Sequence, residues 1–61
     1  MGKIWDFLFE NTETGEEFFV ECENLNKAKV ILEMSGFEPG ETRYLDKYTV
    51  EEAEAMGLDT Y

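Results

Sequence analysis

Two stretches in which large apolar residues occupy every second position most constrain how this chain folds. Within residues 3–11 and residues 16–23, this alternation places the apolar side chains on one face of an extended segment. The residues of this apolar stripe are Trp5, Phe7, Phe9, Phe18, Val20 and Cys22. Gly15 supplies the positive φ that the connecting turn needs. The pattern predicts a β-hairpin with one face directed to a core.

A helix is predicted to follow the hairpin. Asn24 is a favourable N-cap residue, and the apolar residues after it have helical spacing. Gly36 is suited to the position that follows a helix end, with Phe37 packing back on the last turn. The helix is therefore predicted from about Leu25 to Ser35.

The last third of the chain predicts one more strand and one more helix. Residues 42–48 are rich in Thr, Tyr and Leu, which favours a strand. Thr49 and Glu52 have the spacing of a capping box, so a short helix is predicted from Val50 to Met56.

The predicted order is ββαβα, in a single α+β domain that spans residues 1–61. Its simplest architecture is an antiparallel three-stranded sheet with one main helix packed on one face and a short C-terminal helix. Whether the third strand pairs with the first or the second stays open.

The net charge of −10 narrows the classes of partner. Residues 1–23 have a net charge of −6 and residues 49–61 of −4, whereas residues 24–48 are neutral. Nucleic acid and anionic membranes repel such a chain, so neither is predicted as a direct partner. The predicted partner is a basic surface on a larger protein.

The residues of common catalytic and metal sites are missing. The chain contains no histidine, so Ser35 and Cys22 have no evident activating base. Glycine-rich phosphate loops are absent, and residues 11–16 do not match a calcium-binding loop. We therefore expect no enzyme, no cofactor and no metal site. A single cysteine and the absence of a long apolar run favour a cytoplasmic location.

The second face of the predicted hairpin is a candidate binding surface. By alternation it contains Ile4, Asp6, Leu8, Glu10, Glu17, Phe19, Glu21 and Glu23. Apolar side chains surrounded by carboxylates resemble a binding patch, with Ile4, Leu8 and Phe19 as the buried anchor. Two other interpretations are open: the last helix covers these apolar residues, or a homodimer buries them.

The first half of the chain resembles a group of known proteins. The residues that carry the resemblance are Trp5 to Phe18, with an Asn-x-x-Thr-Gly turn, followed by Asn24 to Ala28. They are similar to small uncharacterised acidic proteins of phages and mobile elements of Gram-positive bacteria. The resemblance implies an accessory or counter-defence role, in the host cytoplasm if the protein is phage-encoded. It assigns no functional residue.

Together these patterns predict a non-catalytic protein-binding module, an accessory or inhibitor protein. Carboxylates two residues apart on a strand are about 6.6–6.8 Å apart, and such a row can imitate a nucleic-acid backbone. The module would dock this acidic face on a basic, nucleic-acid-binding surface. The alternative is a structural homodimerising domain whose acidity serves only solubility.

Overall fold

The computed structural model describes residues 2–61 and confirms the predicted α+β class and element order. The elements are β1 (Trp5–Asn11), β2 (Glu17–Cys22), α1 (Leu25–Met34), β3 (Thr42–Tyr48) and α2 (Val50–Met56). The three strands form an antiparallel sheet in the order β2-β1-β3. Neither helix within residues 2–61 is long and apolar enough to cross a membrane.

Strand β1 lies in the centre of the sheet, which answers the open question about the third strand. It pairs with β2 on one side and with β3 on the other. The register against β3 shifts between Leu8 and Phe9, where Leu45 is the extra residue of a bulge. Because of this shift, Leu45 and Tyr48 pack in the same core although they are three residues apart, while Tyr44 packs near Phe9 on the other face.

Both ends of α1 have the predicted caps. The Asn24 side chain accepts a hydrogen bond of 2.8 Å from the Lys27 N–H. At the other end, Gly36 has a φ of 101°, and the Phe37 N–H donates to the Leu32 carbonyl at 3.1 Å. This is a Schellman ending, and it directs Phe37 back onto the core.

Helix α2 has the predicted bounds and the predicted capping box. The Glu52 N–H donates to Thr49 Oγ1 at 3.2 Å, and the Thr49 N–H donates to Glu52 Oε1 at 3.0 Å. The bond from the Thr49 N–H, and to a smaller extent the Thr49 side chain, hold the pKa of the Glu52 carboxyl below its usual value. The two residues therefore fix where the chain turns from β3 into α2.

The face of the sheet that contacts α1 holds the larger core. Its buried residues are Phe7, Phe9, Phe18, Val20, Cys22, Ala28 and Leu32. Trp5 differs from the expectation, because it is only partly buried at the edge of this core. Helix α1 packs mainly against β2, and the Lys3 and Lys47 ammonium groups lie 4.4 and 4.2 Å from the Trp5 ring centre.

The opposite face of the sheet is buried as well. Leu8, Phe19 and Ala53 form a second core, against which Leu45, Tyr48 and Leu58 pack. Phe19 has no solvent exposure and Leu8 is 5% exposed. Helix α2 and the residues after it thus cover the apolar centre of this face, as one of the three interpretations expects.

The last three residues form an interaction that the sequence pattern does not indicate. The Phe19 N–H donates to the Asp59 carbonyl at 2.8 Å, and the Tyr61 N–H donates to the Phe19 carbonyl at 2.7 Å. The segment therefore runs parallel to β2 and pairs with its outer edge. The Tyr61 ring packs edge-on against Phe18, with ring centres 4.7 Å apart. This contact closes part of a sheet edge that would otherwise be open.

The second core generates a prediction about stability. Replacing Phe19 with alanine should lower the free energy of unfolding by about 3–5 kcal/mol, because it empties a fully buried site. Met34→Ala is the control, since Met34 is 83% exposed on α1 and its loss should change stability by less than about 0.5 kcal/mol. Urea unfolding of both variants measures the difference, and equal effects would show that α2 does not cover Phe19.

Candidate functional site

The structure brings together six of the eight residues of the predicted surface. In the pairing of β1 with β2, Asp6 lies opposite Glu21, Leu8 opposite Phe19, and Glu10 opposite Glu17. Directly opposed residues share a face, so the two acidic pairs flank the apolar pair. The predicted arrangement of an apolar centre between carboxylates is therefore present on the sheet.

The apolar anchor predicted for this surface is not exposed. Leu8 and Phe19 lie beneath α2 in the second core. Only Ile4, just before β1, is exposed, at 41%. Strand alternation assigns residues to a face, but it does not indicate whether another element covers that face. Leu8 and Phe19 therefore stabilise the fold and have no surface to offer a partner.

Glu23 also departs from the predicted row of carboxylates. Strand β2 ends at Cys22, and the Glu23 carboxylate lies 3.2 Å from the Lys27 ammonium group on α1. The row of carboxylates on β2 therefore consists of Glu17 and Glu21, which are four residues apart. Glu23 does not belong to it.

The Glu10–Glu17 pair has a base of its own. Like charges directly opposite each other on neighbouring strands are destabilising. Arg43, opposite Glu10 on β3, places its Nη2 atom 3.0 Å from Glu10 Oε1. Since the guanidinium charge offsets one carboxylate, repulsion within this pair is reduced.

The Asp6–Glu21 pair has no such base within the described residues. Asp6 is only 2% exposed, and its Oδ1 atom is buried without a hydrogen-bond partner in residues 2–61. The Asp6 and Glu21 carboxyl groups are close enough to share a hydrogen bond, and Glu54 of α2 adds a third carboxyl group nearby. Burial is the main cause that raises the pKa of Asp6, and the charge of Glu21, its hydrogen bond and the charge of Glu54 raise it further.

A cavity of about 310 Å³ lies beside this cluster. Its lining combines carboxyl groups with apolar walls from α2 and the residues that follow it. The lining residues are Asp6, Glu21, Val50, Ala53, Glu54, Gly57, Leu58 and Thr60. The sequence analysis missed Glu54, because the strand pattern alone does not show which turn of α2 comes to lie over Asp6.

Charge is strongly segregated across the sheet. We call the carboxylates on the α2 side the acidic face: Asp6, Glu10, Glu17, Glu21, Asp46, Glu51, Glu52 and Glu54. Arg43 is the one base among the described residues on that side, and it is paired with Glu10. The four lysines lie on α1 or beside the opposite face, two of them over the Trp5 ring. The two acidic ends of the sequence thus meet on one side of the molecule.

A second cavity, of about 400 Å³, lies on the α1 side. Phe9 and Tyr44 contribute aromatic surface to it, and its border carries charges of both signs, among them Lys29, Glu33 and Glu38. Since its charges are mixed, it does not extend the acidic face.

The Cys22 thiol and the carboxylates are the remaining groups of the chain with potential for covalent or metal chemistry. The Cys22 thiol is buried and lies 3.2 Å from the Asn24 carbonyl, to which it donates. Burial raises the pKa of this thiol, which keeps it protonated and weakly nucleophilic. Among residues 2–61, no three acidic or cysteine side chains are arranged to hold a metal ion.

Comparison with protein-family models, with curated proteins and with solved structures finds no match to this chain. The acidic face and its cavity are therefore the features from which a function can be inferred.

The buried Asp6 carboxyl generates a prediction about pH. Because the folded state raises the pKa of Asp6, it binds the proton more tightly than the unfolded chain does, and folding stability falls as pH rises through the raised pKa. Asp6→Asn removes this cost, and its amide can donate to Glu21. We expect the variant to be more stable by about 1–3 kcal/mol at pH 7, with the gain disappearing as pH falls below the ordinary value of 3.8.

Glu10→Gln is the matched control, because Glu10 already has Arg43 as a partner. This change should not stabilise the protein at pH 7, and it should lower the free energy of unfolding by up to about 1 kcal/mol. Urea unfolding at several pH values compares the two variants. A loss of stability in Asp6→Asn at pH 7 would contradict the assignment of Asp6 as an unfavourable buried charge.

Proposed function

We propose that the chain is a non-catalytic protein-binding module that docks its acidic face on the basic surface of a larger protein. The observation that supports this most directly is the segregation of charge: within residues 2–61, the α2 side has eight carboxylates and a single base, which is already paired. A one-sided charge distribution orients a protein as it approaches an oppositely charged surface and speeds association.

The proposed partner surface is one that binds nucleic acid. Such surfaces are basic because they contact phosphates. A rigid sheet with Glu17 and Glu21 on one strand and Glu10 on the next offers fixed negative charges to the basic side chains that would otherwise contact phosphates. The module would then act as an inhibitor that competes with nucleic acid. An accessory role for a phage or mobile element in the host cytoplasm agrees with this activity and with the buried, unpaired Cys22 thiol.

Because Leu8 and Phe19 are buried, the contacts with the partner would be made by the carboxylates of the acidic face and by the rim of the cavity beside Asp6. Within residues 2–61, Ile4 and Met56 are large apolar residues near this side with substantial exposure, at 41% and 42%. Neither forms a continuous apolar patch with Leu8 or Phe19, which are covered. We therefore expect the affinity to depend strongly on salt, as in interfaces dominated by charge.

The test uses two variants with the same net charge. In the face variant, Glu17, Glu21, Glu51 and Glu54 are changed to Gln. In the matched control, the same change is made at four acids outside the face: Glu13, Glu33, Glu38 and Glu41. A partner is first isolated from a Gram-positive host lysate on the immobilised protein, identified, and purified. Its binding to each variant is then measured at low and high salt.

We expect the face variant to bind at least about tenfold more weakly, mainly through a lower association rate, and the control to bind nearly as well as the native chain. A single-stranded or double-stranded oligonucleotide should compete with the native chain for the partner. Equal losses in both variants would mean that net charge alone matters. If no protein is retained and sedimentation shows a concentration-dependent dimer, the homodimer alternative replaces the proposal.

A further inference from the structure

We propose that the cavity beside Asp6, Glu21 and Glu54 receives the cationic end of one lysine or arginine side chain. This inference rests on the proposed function, because the side chain belongs to the basic partner surface. It adds a defined site to what is otherwise a general attraction between charged faces.

The first support is the state of Asp6. Its side chain is almost completely buried, lines the cavity and leaves Oδ1 without a hydrogen-bond partner among residues 2–61. Buried polar atoms in folded proteins are nearly always paired, and a lone buried carboxylate is costly. An ammonium or guanidinium group supplies both the missing donor and the missing positive charge.

The second support is a comparison within the same sheet. Two like-charged pairs flank Leu8 and Phe19, and only one of them has a base from β3 beside it within residues 2–61. Arg43 lies 3.0 Å from Glu10 and offsets the first pair, whereas among residues 2–61 no base is paired with Asp6 or Glu21. The fold thus contains its own example of a base that offsets such a pair. A basic side chain from the partner would do for Asp6–Glu21 what Arg43 does for Glu10–Glu17.

The third support is the size and lining of the cavity. At about 310 Å³ it lies at the lower end of the volumes typical of ligand pockets, which suits one side chain. Val50, Ala53 and Leu58 provide apolar walls next to the carboxyl groups. Lysine and arginine combine an apolar stem with a charged end, so both parts of the side chain find a matching surface.

The experiment titrates the full chain with capped pentapeptides at low salt and pH 7, followed by amide NMR spectra. One peptide has a lysine among glycines, a second has an arginine, and a third has norleucine, which keeps the stem and lacks the charge. We expect the lysine or arginine peptide to shift, saturably, the amides of Asp6, Glu21 and the cavity residues of α2, and norleucine to shift none.

Two matched variants locate the charge that is responsible. Asp6→Asn should weaken peptide binding at least about tenfold, as expected for the loss of a charge-assisted hydrogen bond. Glu13→Gln removes an equal charge from the exposed turn between β1 and β2, outside the acidic face, and should leave binding within about twofold of the native value.

Three outcomes overturn this inference. Shifts spread over the whole acidic face, and equal in both variants, would show only diffuse attraction. Saturable shifts at the cavity with calcium chloride but not with the peptides would assign it to a metal ion. An Asp6 that stays protonated at pH 7 with the peptide present would mean that a proton is the occupant. If one of these outcomes is found but the face variant still loses its partner, only the inference about the cavity fails and the proposed function is supported. Failure of the inference and failure of the proposed function are therefore distinguishable.

Discussion

The burial of β1 on both faces is the constraint on which the rest of this structure depends. Phe7 and Phe9 point into the core under α1, and Leu8 points into the core under α2. A chain of 61 residues has little interior, and without a disulfide its stability must come from packing. Placing one strand between two helices gives each of its central side chains a buried environment. Both the caps of α2 and the closing contact of residues 59–61 serve this arrangement, because they hold the second cover in place.

Local sequence signals predicted most of the elements. Asn24, the Thr49–Glu52 capping box and Gly36 act through backbone hydrogen bonds to near neighbours, so their effect can be recognised without tertiary information. Alternation likewise placed Asp6, Leu8, Glu10 and their β2 partners on one face. The sequence left open which strand is central and whether α2 covers Leu8 and Phe19, and it did not indicate the bulge at Leu45 or the pairing of Asp59–Tyr61 with β2. All of these features depend on contacts between residues that are distant in the chain.

Helix α2 has opposite effects on stability, depending on which residues it covers. Through Ala53 it completes the core over Leu8 and Phe19, which is favourable. Through Glu54 it brings a third carboxyl group to Asp6 and Glu21, which is unfavourable while no cation is present. Sequences that fold well avoid such conflicts between local and global preferences, and the conflicts that persist are concentrated at functional sites. This electrostatic conflict is the physical reason for placing the proposed binding site at the cavity beside Asp6 and not at the second cavity, on the α1 side.

The same electrostatics links folding to the proposed binding. Carboxylates held together on one side of a small sheet repel each other in the free protein, and this repulsion lowers the stability of the folded state. A basic partner surface reduces that repulsion when it binds. The loss of repulsion then makes a favourable contribution to the free energy of binding. A ligand that binds only the folded chain also stabilises it in proportion to its concentration relative to its dissociation constant. A small domain with an unfavourable, localised charge cluster therefore gains both affinity and stability from a partner that carries the complementary charge at the same position.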